Sequence, residues 1–203
     1  MALTRQQVID EAMRLVDADG LDRLTLRALA GRLSVQAPTL YWHVKNKAEL
    51  LDALADAIMD DAIGAIPDSD STGEWREWLL SALASLRRAM LAHPDGARIL
   101  SGARDSMRRA DFSERATSTL VNRGVELQQA RMTVLVGERY TLGYVLEEQA
   151  PAPDPAGDSD PAALQRRLPM MTRAIIEYFS AGRTSDDLYR DGLRLILGSP
   201  SEP

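Results

Sequence analysis

The apolar residues of the first twenty positions recur with the three- to four-residue spacing of an amphipathic helix. Thr4, followed by Gln7, has the pattern of a capping box at a helix start, and Gly20 is a typical helix stop. Similar spacing continues along most of the chain, and no segment shows the alternation typical of a β-strand. The pattern therefore predicts an all-α protein of about nine to ten helices.

Two further short helices and a longer one are predicted in the next part of the chain. Apolar residues within 26–33 share one helical face, and after a tight break Pro38 stands in the first turn of a helix over residues 38–43. Asn46 with Glu49 has the spacing of a second capping box, which opens the longer helix. Two short helices joined by a tight turn indicate a helix-turn-helix.

A polar loop divides the helical pattern at residues 67–73, which are rich in Pro, Asp, Ser and Gly. The predicted division is a three-helix domain, a connecting helix and a larger helical domain, over residues 1–46, 47–66 and 67–203. Further helices are predicted over residues 74–92, 95–101, 105–122, 128–149, 161–180 and 186–197. Residues 150–161 contain four prolines, and we expect a flexible excursion there rather than a packed element.

The composition excludes several classes of protein. The chain has no cysteine, so it forms neither disulfides nor thiolate metal sites, and it has only two histidines, which argues against a histidine-rich metal enzyme. No signal-peptide pattern opens the chain, and no uncharged apolar run approaches the roughly 18 residues of a membrane span. We therefore expect a cytoplasmic protein without a membrane segment, a metal site or a cofactor.

The charges are unevenly distributed in this chain, which has a formal net charge of -6. No acidic residue occurs in the stretch 23–48, whereas Arg23, Arg27, Arg32, Lys45 and Lys47 are basic, and the last two are the only lysines of the chain. An acidic protein that keeps one stretch free of acid avoids repulsion of an anionic partner, and a polyphosphate backbone is the partner we favour.

The second short helix of the helix-turn-helix and its flank carry side chains suited to DNA. Thr39 and Tyr41 can reach base edges or phosphate oxygens, and Trp42 and His43 can donate hydrogen bonds to phosphate. Taken singly, the two aromatic residues are more often part of a core. Taken together with Pro38, the tight helix spacing and the acid-free stretch, they favour double-stranded DNA as the partner.

The sequence resembles the tetracycline-repressor (TetR) family of transcriptional regulators. The run PTLYWHVKNK of residues 38–47, followed by LLDALA, carries the resemblance most specifically. Weaker matches follow in order in the second half: HPDGA (residues 93–97), GAR (102–104), Gly124, TLG (141–143) and VLEEQ (145–149). The resemblance implies an all-helical homodimer whose N-terminal parts bind two operator half-sites and whose C-terminal domain holds an inducer.

The resemblance also implies the DNA-contacting positions. Ala37 stands where the family's tetracycline-binding members have a glutamine, and Leu26 replaces a threonine. Because glutamine pairs bidentately with adenine, its loss is expected to change the operator sequence without abolishing phosphate contacts. The complete set, with Lys45 added from the charge pattern, is Arg27, Ala37, Pro38, Thr39, Tyr41, Trp42, His43, Lys45 and Lys47.

The implied inducer pocket diverges from the tetracycline-binding members, in which a histidine chelates the drug-bound magnesium and polar or aromatic side chains hold the drug. Leu100 stands at the position of that histidine, and four more handles have become aliphatic: Ile63, Ala82, Leu86 and Ala116. Magnesium prefers oxygen-rich ligation, which leucine lacks, so we expect an apolar or aromatic inducer and not magnesium-tetracycline. The remaining predicted lining comprises Arg104, Phe112, Val134, Glu138 and Glu147.

Several structural alternatives stay open at this point. The leucines can equally be ordinary core, which would leave a small cavity or none, and Arg104 with Glu147 can be a salt bridge or a solvated pair. Apolar stripes on the helices predicted over 128–149 and 186–197 are more often intramolecular core. With the resemblance, they favour a four-helix bundle between two subunits.

Three functional hypotheses follow. The first is a ligand-responsive repressor that binds a palindromic operator as a homodimer. The second is a helix-turn-helix regulator without a small-molecule inducer, controlled by a protein partner. The third is an enzyme on a helical bundle, which nothing supports, since no nucleophile–base pair stands out and no catalytic residue is predicted.

Overall fold

All secondary structure is helical in the ranges that the computed structural model describes, residues 3–68, 74–151 and 161–198. The all-α prediction is therefore confirmed. A 3₁₀ turn covers Leu21–Arg23. The eleven α-helices of these ranges are α1 (Arg5–Asp19), α2 (Leu26–Arg32), α3 (Ala37–Leu40), α4 (Lys47–Gly64), α5 (Trp75–Leu91), α6 (Gly96–Gly102), α7 (Met107–Asn122), α8 (Leu127–Glu148), α9 (Pro161–Arg167), α10 (Pro169–Ser180) and α11 (Ser185–Leu197).

The predicted helix starts are largely confirmed. At α1 the Thr4 hydroxyl accepts from the Gln7 backbone N–H, and the Gln7 side chain accepts from Thr4, which completes a capping box. At α4 only half of the predicted box forms. The Asn46 side chain accepts from the Glu49 N–H at 2.8 Å, but the Glu49 carboxylate accepts from the Lys45 N–H and not from Asn46.

The predicted helix over residues 161–180 is wrong as a single element, because it is two helices, α9 and α10. Pro169 begins α10, and Leu168 before it has φ −129° and ψ 59°, outside the helical region. A residue that precedes proline is disfavoured in the α conformation, which explains the break. The predicted helix over 38–43 is also too long, since α3 ends at Leu40. The predicted excursion at 150–161 falls mainly on residues outside the described ranges.

The chain divides into two compact units, residues 1–149 and 150–203. In the first unit, α4 packs against α1, α5, α6 and α7, and α8 packs against α5, α6 and α7. Helices α5 and α8 approach closely at Gly137, where a Cβ would lie 2.6 Å from Cδ1 of Leu83. The core of this unit therefore lies between α4 and α8, and both helices contribute to it.

In the second unit, α10 buries no side chain, whereas α11 buries Tyr189, Leu193 and Leu197. The Tyr178 hydroxyl of α10 donates to Asp191 of α11 at 2.8 Å. Among the described residues, no helix is both long and apolar enough to span a membrane.

Candidate DNA-binding surface and core cavity

The helix-turn-helix is held by backbone bonds and two apolar anchors. The Val35 N–H donates to the Ala30 carbonyl at 3.0 Å, and Ser34 between α2 and α3 adopts a left-handed φ of 55°. Leu40 and Val44 are fully buried. These two side chains fix α3 and the turn after it, so that the intervening residues face outward.

The aromatic side chains between those anchors are exposed. Trp42 is 89% exposed and Tyr41 is 56% exposed, whereas a core role would bury them. The alternative that these rings belong to the core is therefore excluded for the single chain. Thr39 and His43 are partly exposed beside them.

The basic residues of the acid-free stretch are not equally available. Arg32 forms ion pairs with Glu11 at 2.8 Å and with Asp19 at 3.2 Å, so acids of α1 neutralise it. Arg27, Lys45 and Lys47 are exposed. All nine predicted DNA-contacting residues are exposed or partly exposed. Arg27 lies at the start of α2, and the other eight lie within residues 37–47.

A small cavity lies in the core of the first unit between α4, α5, α6, α7 and α8. The central space is about 10 Å³, which is close to the volume that one water-sized sphere occupies. Among the residues that the structure describes, no group of three His, Cys, Asp or Glu side chains could hold a metal ion. The lining residues are Met59, Leu86, Leu100, Arg109, Phe112, Glu138 and Leu142.

Two charged side chains interrupt this apolar wall. Glu138 is 5% exposed, and burial raises the pKa of its carboxyl group. The Ser113 hydroxyl donates to Oε1 of Glu138 at 2.5 Å, and this bond opposes the rise. Arg109 is half-buried, and burial lowers the pKa of its guanidinium, while the charge of Glu138 raises it. The cavity wall therefore contains one buried carboxyl group, that of Glu138, and one partly buried guanidinium, that of Arg109.

Four of the predicted pocket residues line the cavity: Leu86, Leu100, Phe112 and Glu138. Three more are fully buried without lining it: Ala82, Ala116 and Val134. Ile63 is partly exposed, and Arg104 and Glu147 are exposed on the single chain. Their role in ligand binding stays a prediction.

The sequence reasoning did not identify Met59, Arg109 and Leu142 as lining residues. For Arg109 a signal was present. It precedes Phe112 and Ser113 by three and four residues, so helical periodicity places it on the same face of α7.

Two aspartates of α4 hold the segment that leads from α6 into α7. Asp52 accepts from the Arg104 N–H at 2.8 Å and from the Asp105 N–H at 3.2 Å. One helical turn later, Asp56 accepts from the Ser106 hydroxyl at 2.7 Å and also from the backbone of α7. Helix α4, which begins beside the candidate DNA-binding surface, is therefore hydrogen-bonded to the segment that joins α6 and α7, two helices that line the cavity.

Both halves of the chain match known protein families. The model "Bacterial regulatory proteins, tetR family" matches residues 8–54, and "Tetracyclin repressor-like, C-terminal domain" matches residues 66–198. The tetracycline repressor protein class A from transposon 1721 of Escherichia coli is 37% identical over 191 residues, which cover 94% of this chain and 87% of that protein.

Two solved structures are similar over nearly the whole chain. A TetR variant from Acinetobacter baumannii AYE in complex with minocycline is 32% identical, with a TM-score of 0.76 and coverage of 96% of this chain and 92% of that one. The Streptomyces coelicolor TetR family protein ActR in complex with (S)-DNPA is 26% identical, with a TM-score of 0.79 and coverage of 97% and 96%.

Proposed function

Because this chain belongs to the TetR family of transcriptional regulators, we propose that it represses transcription as a homodimer on a palindromic operator and is released by a small apolar inducer. The family consists of DNA-binding regulatory proteins and not of enzymes, so the enzyme hypothesis is dropped. The observation that carries the proposal is the exposed pair Tyr41 and Trp42 on buried anchors, next to the exposed Lys45 and Lys47. Amphipathic aromatic rings and cations are suited to phosphate and groove contacts.

Exposed apolar stripes support the homodimer. On α8, Met132 and Val136 are 55% and 42% exposed, and on α11, Leu195 is 86% exposed. Solvated apolar side chains in line on a helix favour burial against another subunit. Val145 of α8 and Leu193 of α11 are buried within the chain itself and are therefore not part of these exposed stripes.

The inducer is proposed to be apolar because the cavity wall is aliphatic where a metal-chelated drug needs polar partners. Leu86 and Leu100 are 4% and 3% exposed and line the cavity. Each buried polar group left without a partner costs about 1–3 kcal/mol, whereas an apolar surface gains about 25 cal/mol per Å² buried. Magnesium-tetracycline is therefore not proposed as the inducer of this protein.

The small size of the cavity favours a second candidate function, a regulator of the same operator that has no small-molecule inducer and answers to a protein partner. A space of about 10 Å³ admits no inducer unless side chains move. We propose the ligand-responsive function first, because Arg109 and Glu138 face a cavity that ordinary packing would leave apolar.

The test of the proposed function is operator selection followed by induction. The protein is mixed with genomic fragments, bound duplexes are recovered, and affinity is compared with that for random duplex at fixed salt. We expect a palindromic site with half-sites about 34 Å apart. Equal affinity for random duplex would contradict the repressor function. Release by an apolar library compound supports the first candidate, and release only by a protein supports the second.

A further inference from the structure

Two charged side chains, Arg109 and Glu138, lie in the otherwise apolar wall of the core cavity. Arg109 and Glu138 both line the cavity, and each charge affects the other group electrostatically. Within the described part of the chain, however, the two side chains form no ion pair or hydrogen bond with each other. They therefore share the cavity without making contact.

Both groups have unused hydrogen-bonding capacity. A guanidinium has five N–H donors, and among the described residues none of those of Arg109 has an acceptor. The Glu138 carboxylate can accept about four hydrogen bonds, and Ser113 supplies one of them, at Oε1. No buried side-chain nitrogen or oxygen of the described residues lacks a partner, so this free capacity faces water. A ligand that supplied both an acceptor and a donor would take the place of that water.

The size of the space limits which polar group fits. About 10 Å³ at the centre accommodates one oxygen atom without moving the wall. A hydroxyl group meets both needs with that one oxygen, because it accepts a hydrogen bond and donates another.

We infer that the inducer is a neutral, largely apolar molecule with a hydroxyl group that accepts from the Arg109 guanidinium and donates to the Glu138 carboxylate. This inference rests on the proposed ligand-responsive function. The ligand is neutral because Arg109 and Glu138 already balance one another, and an added charge would be buried without a counter-ion. The apolar body displaces side chains such as Met59 and Leu142, of which methionine is the more adaptable.

The first experiment uses four matched naphthalenes on the full-length protein. 2-Naphthol accepts and donates, 2-methoxynaphthalene only accepts, naphthalene does neither, and 2-naphthoate is an anion. Binding is measured by calorimetry and operator release by gel shift. We expect 2-naphthol to bind about 10- to 100-fold more tightly than naphthalene, with 2-methoxynaphthalene between them, since it leaves Glu138 without its donor.

The second experiment asks whether the two side chains read the hydroxyl group. Arg109→Met and Glu138→Leu are each expected to reduce the preference for 2-naphthol over naphthalene to about threefold or less. This ratio is measured within one variant, so a general loss of stability does not imitate the effect. Glu138→Met, which also lacks a strong acceptor, replaces Glu138→Leu if the latter does not fold. Arg14→Met, at an exposed arginine of α1 that does not line the cavity, is the control and keeps the preference.

Each contrary result has a distinct meaning. Equal binding of 2-naphthol and naphthalene to the unmodified protein overturns the hydroxyl inference, while release of the operator by either keeps the proposed function. Tightest binding by 2-naphthoate, lost in Arg109→Met, overturns it in favour of an anionic inducer. Failure of 2-naphthol to bind even Leu86→Ala, in which the cavity is enlarged, also overturns it. The proposed function fails separately if no compound of a broad apolar library releases the operator.

Discussion

The DNA-binding surface and the core cavity are built in opposite ways. The surface comes from one continuous stretch around α3, in which buried Leu40 and Val44 leave Tyr41 and Trp42 in solvent. The cavity gathers side chains from five helices, and Met59 and Leu142 in its wall are far apart in sequence. Local chain geometry therefore creates the first site, whereas packing of distant segments creates the second.

The difference extends to how each site treats charge. At the surface, cations stand in water and can meet phosphate at little desolvation cost. In the cavity, Glu138 is almost fully buried, and burial raises the pKa of its carboxyl group. A change of charge at the surface is therefore expected to alter affinity for DNA, and one in the cavity to alter the stability of the fold as well.

The largest effect is expected from a change that removes the proposed dimer, on which paired half-site binding depends. Leu195→Asp places a charge at the 86% exposed position of α11. Burying that charge unpaired costs on the order of 4 kcal/mol, or about 1000-fold in the dimer constant, and operator binding should fall with it. Light scattering and gel shifts measure the two effects.

Leu91→Asp, on the 40% exposed Leu91 of α5, serves as the control and is expected to leave both properties unchanged. If the unmodified protein is monomeric at micromolar concentration and still binds a palindrome specifically, the proposed dimer is wrong.

The next effect concerns the surface alone. Thr39→Ala is expected to weaken operator binding by about 1–3 kcal/mol with little change on random duplex, because Thr39 is proposed to contact a base. Lys47→Ala should weaken all duplexes similarly and lower the salt slope by about one unit, because Lys47 is proposed to contact a phosphate. Equal losses of Thr39→Ala on both duplexes would show that α3 does not read bases.

The predictability of the two sites follows the same division. The sequence alone predicted the candidate DNA-binding surface from Pro38, the spacing of α2 and α3, and the two aromatic residues. Each of these signals is a property of neighbouring positions in the chain. For Arg109 the sequence shows only that it shares a face of α7 with Phe112, and that this face meets the cavity depends on how α7 packs against α8. The close approach at Gly137, which sets the distance between α5 and α8, likewise has no signature of its own in the sequence.

Magnesium-tetracycline tests the cavity alone. We expect no heat of binding at micromolar concentrations, because Leu100 supplies no metal ligand and the aliphatic wall leaves the drug's polar edges unpaired. Titration calorimetry with and without a chelator measures this. Micromolar binding that disappears with the chelator would mean that another residue holds the metal.

The smallest effect is a pH dependence of stability. Burial raises the pKa of Glu138, so the folded protein holds that proton more tightly than the unfolded chain does. The contribution is fully present below the ordinary glutamate value of about 4.3 and is lost as the pH rises through the raised value. Glu138→Gln abolishes this titration. As the pH rises across that window, the free energy of unfolding of this variant should therefore increase relative to that of the unmodified protein.

Urea unfolding at several pH values measures the difference. Glu114→Gln is the matched control, because Glu114 also accepts from a serine hydroxyl, Ser118, but is exposed. A pH-independent difference for Glu138→Gln would contradict the assigned burial effect.

The bonds of Asp52 and Asp56 connect α4, which begins beside the candidate DNA-binding surface, to the segment between two cavity-lining helices. At 1.5 Å per residue, Asp56 lies about 12 Å from Gly64 at one end, and Lys47 at the other end lies about 26 Å from it. If α4 tilts as a rigid rod about Gly64, a shift of about 1 Å at Asp56 becomes about 2 Å at Lys47. Since hydrogen bonds weaken beyond about 3.2 Å, a displacement smaller than one carbon–carbon bond in the core is enough to break a phosphate contact.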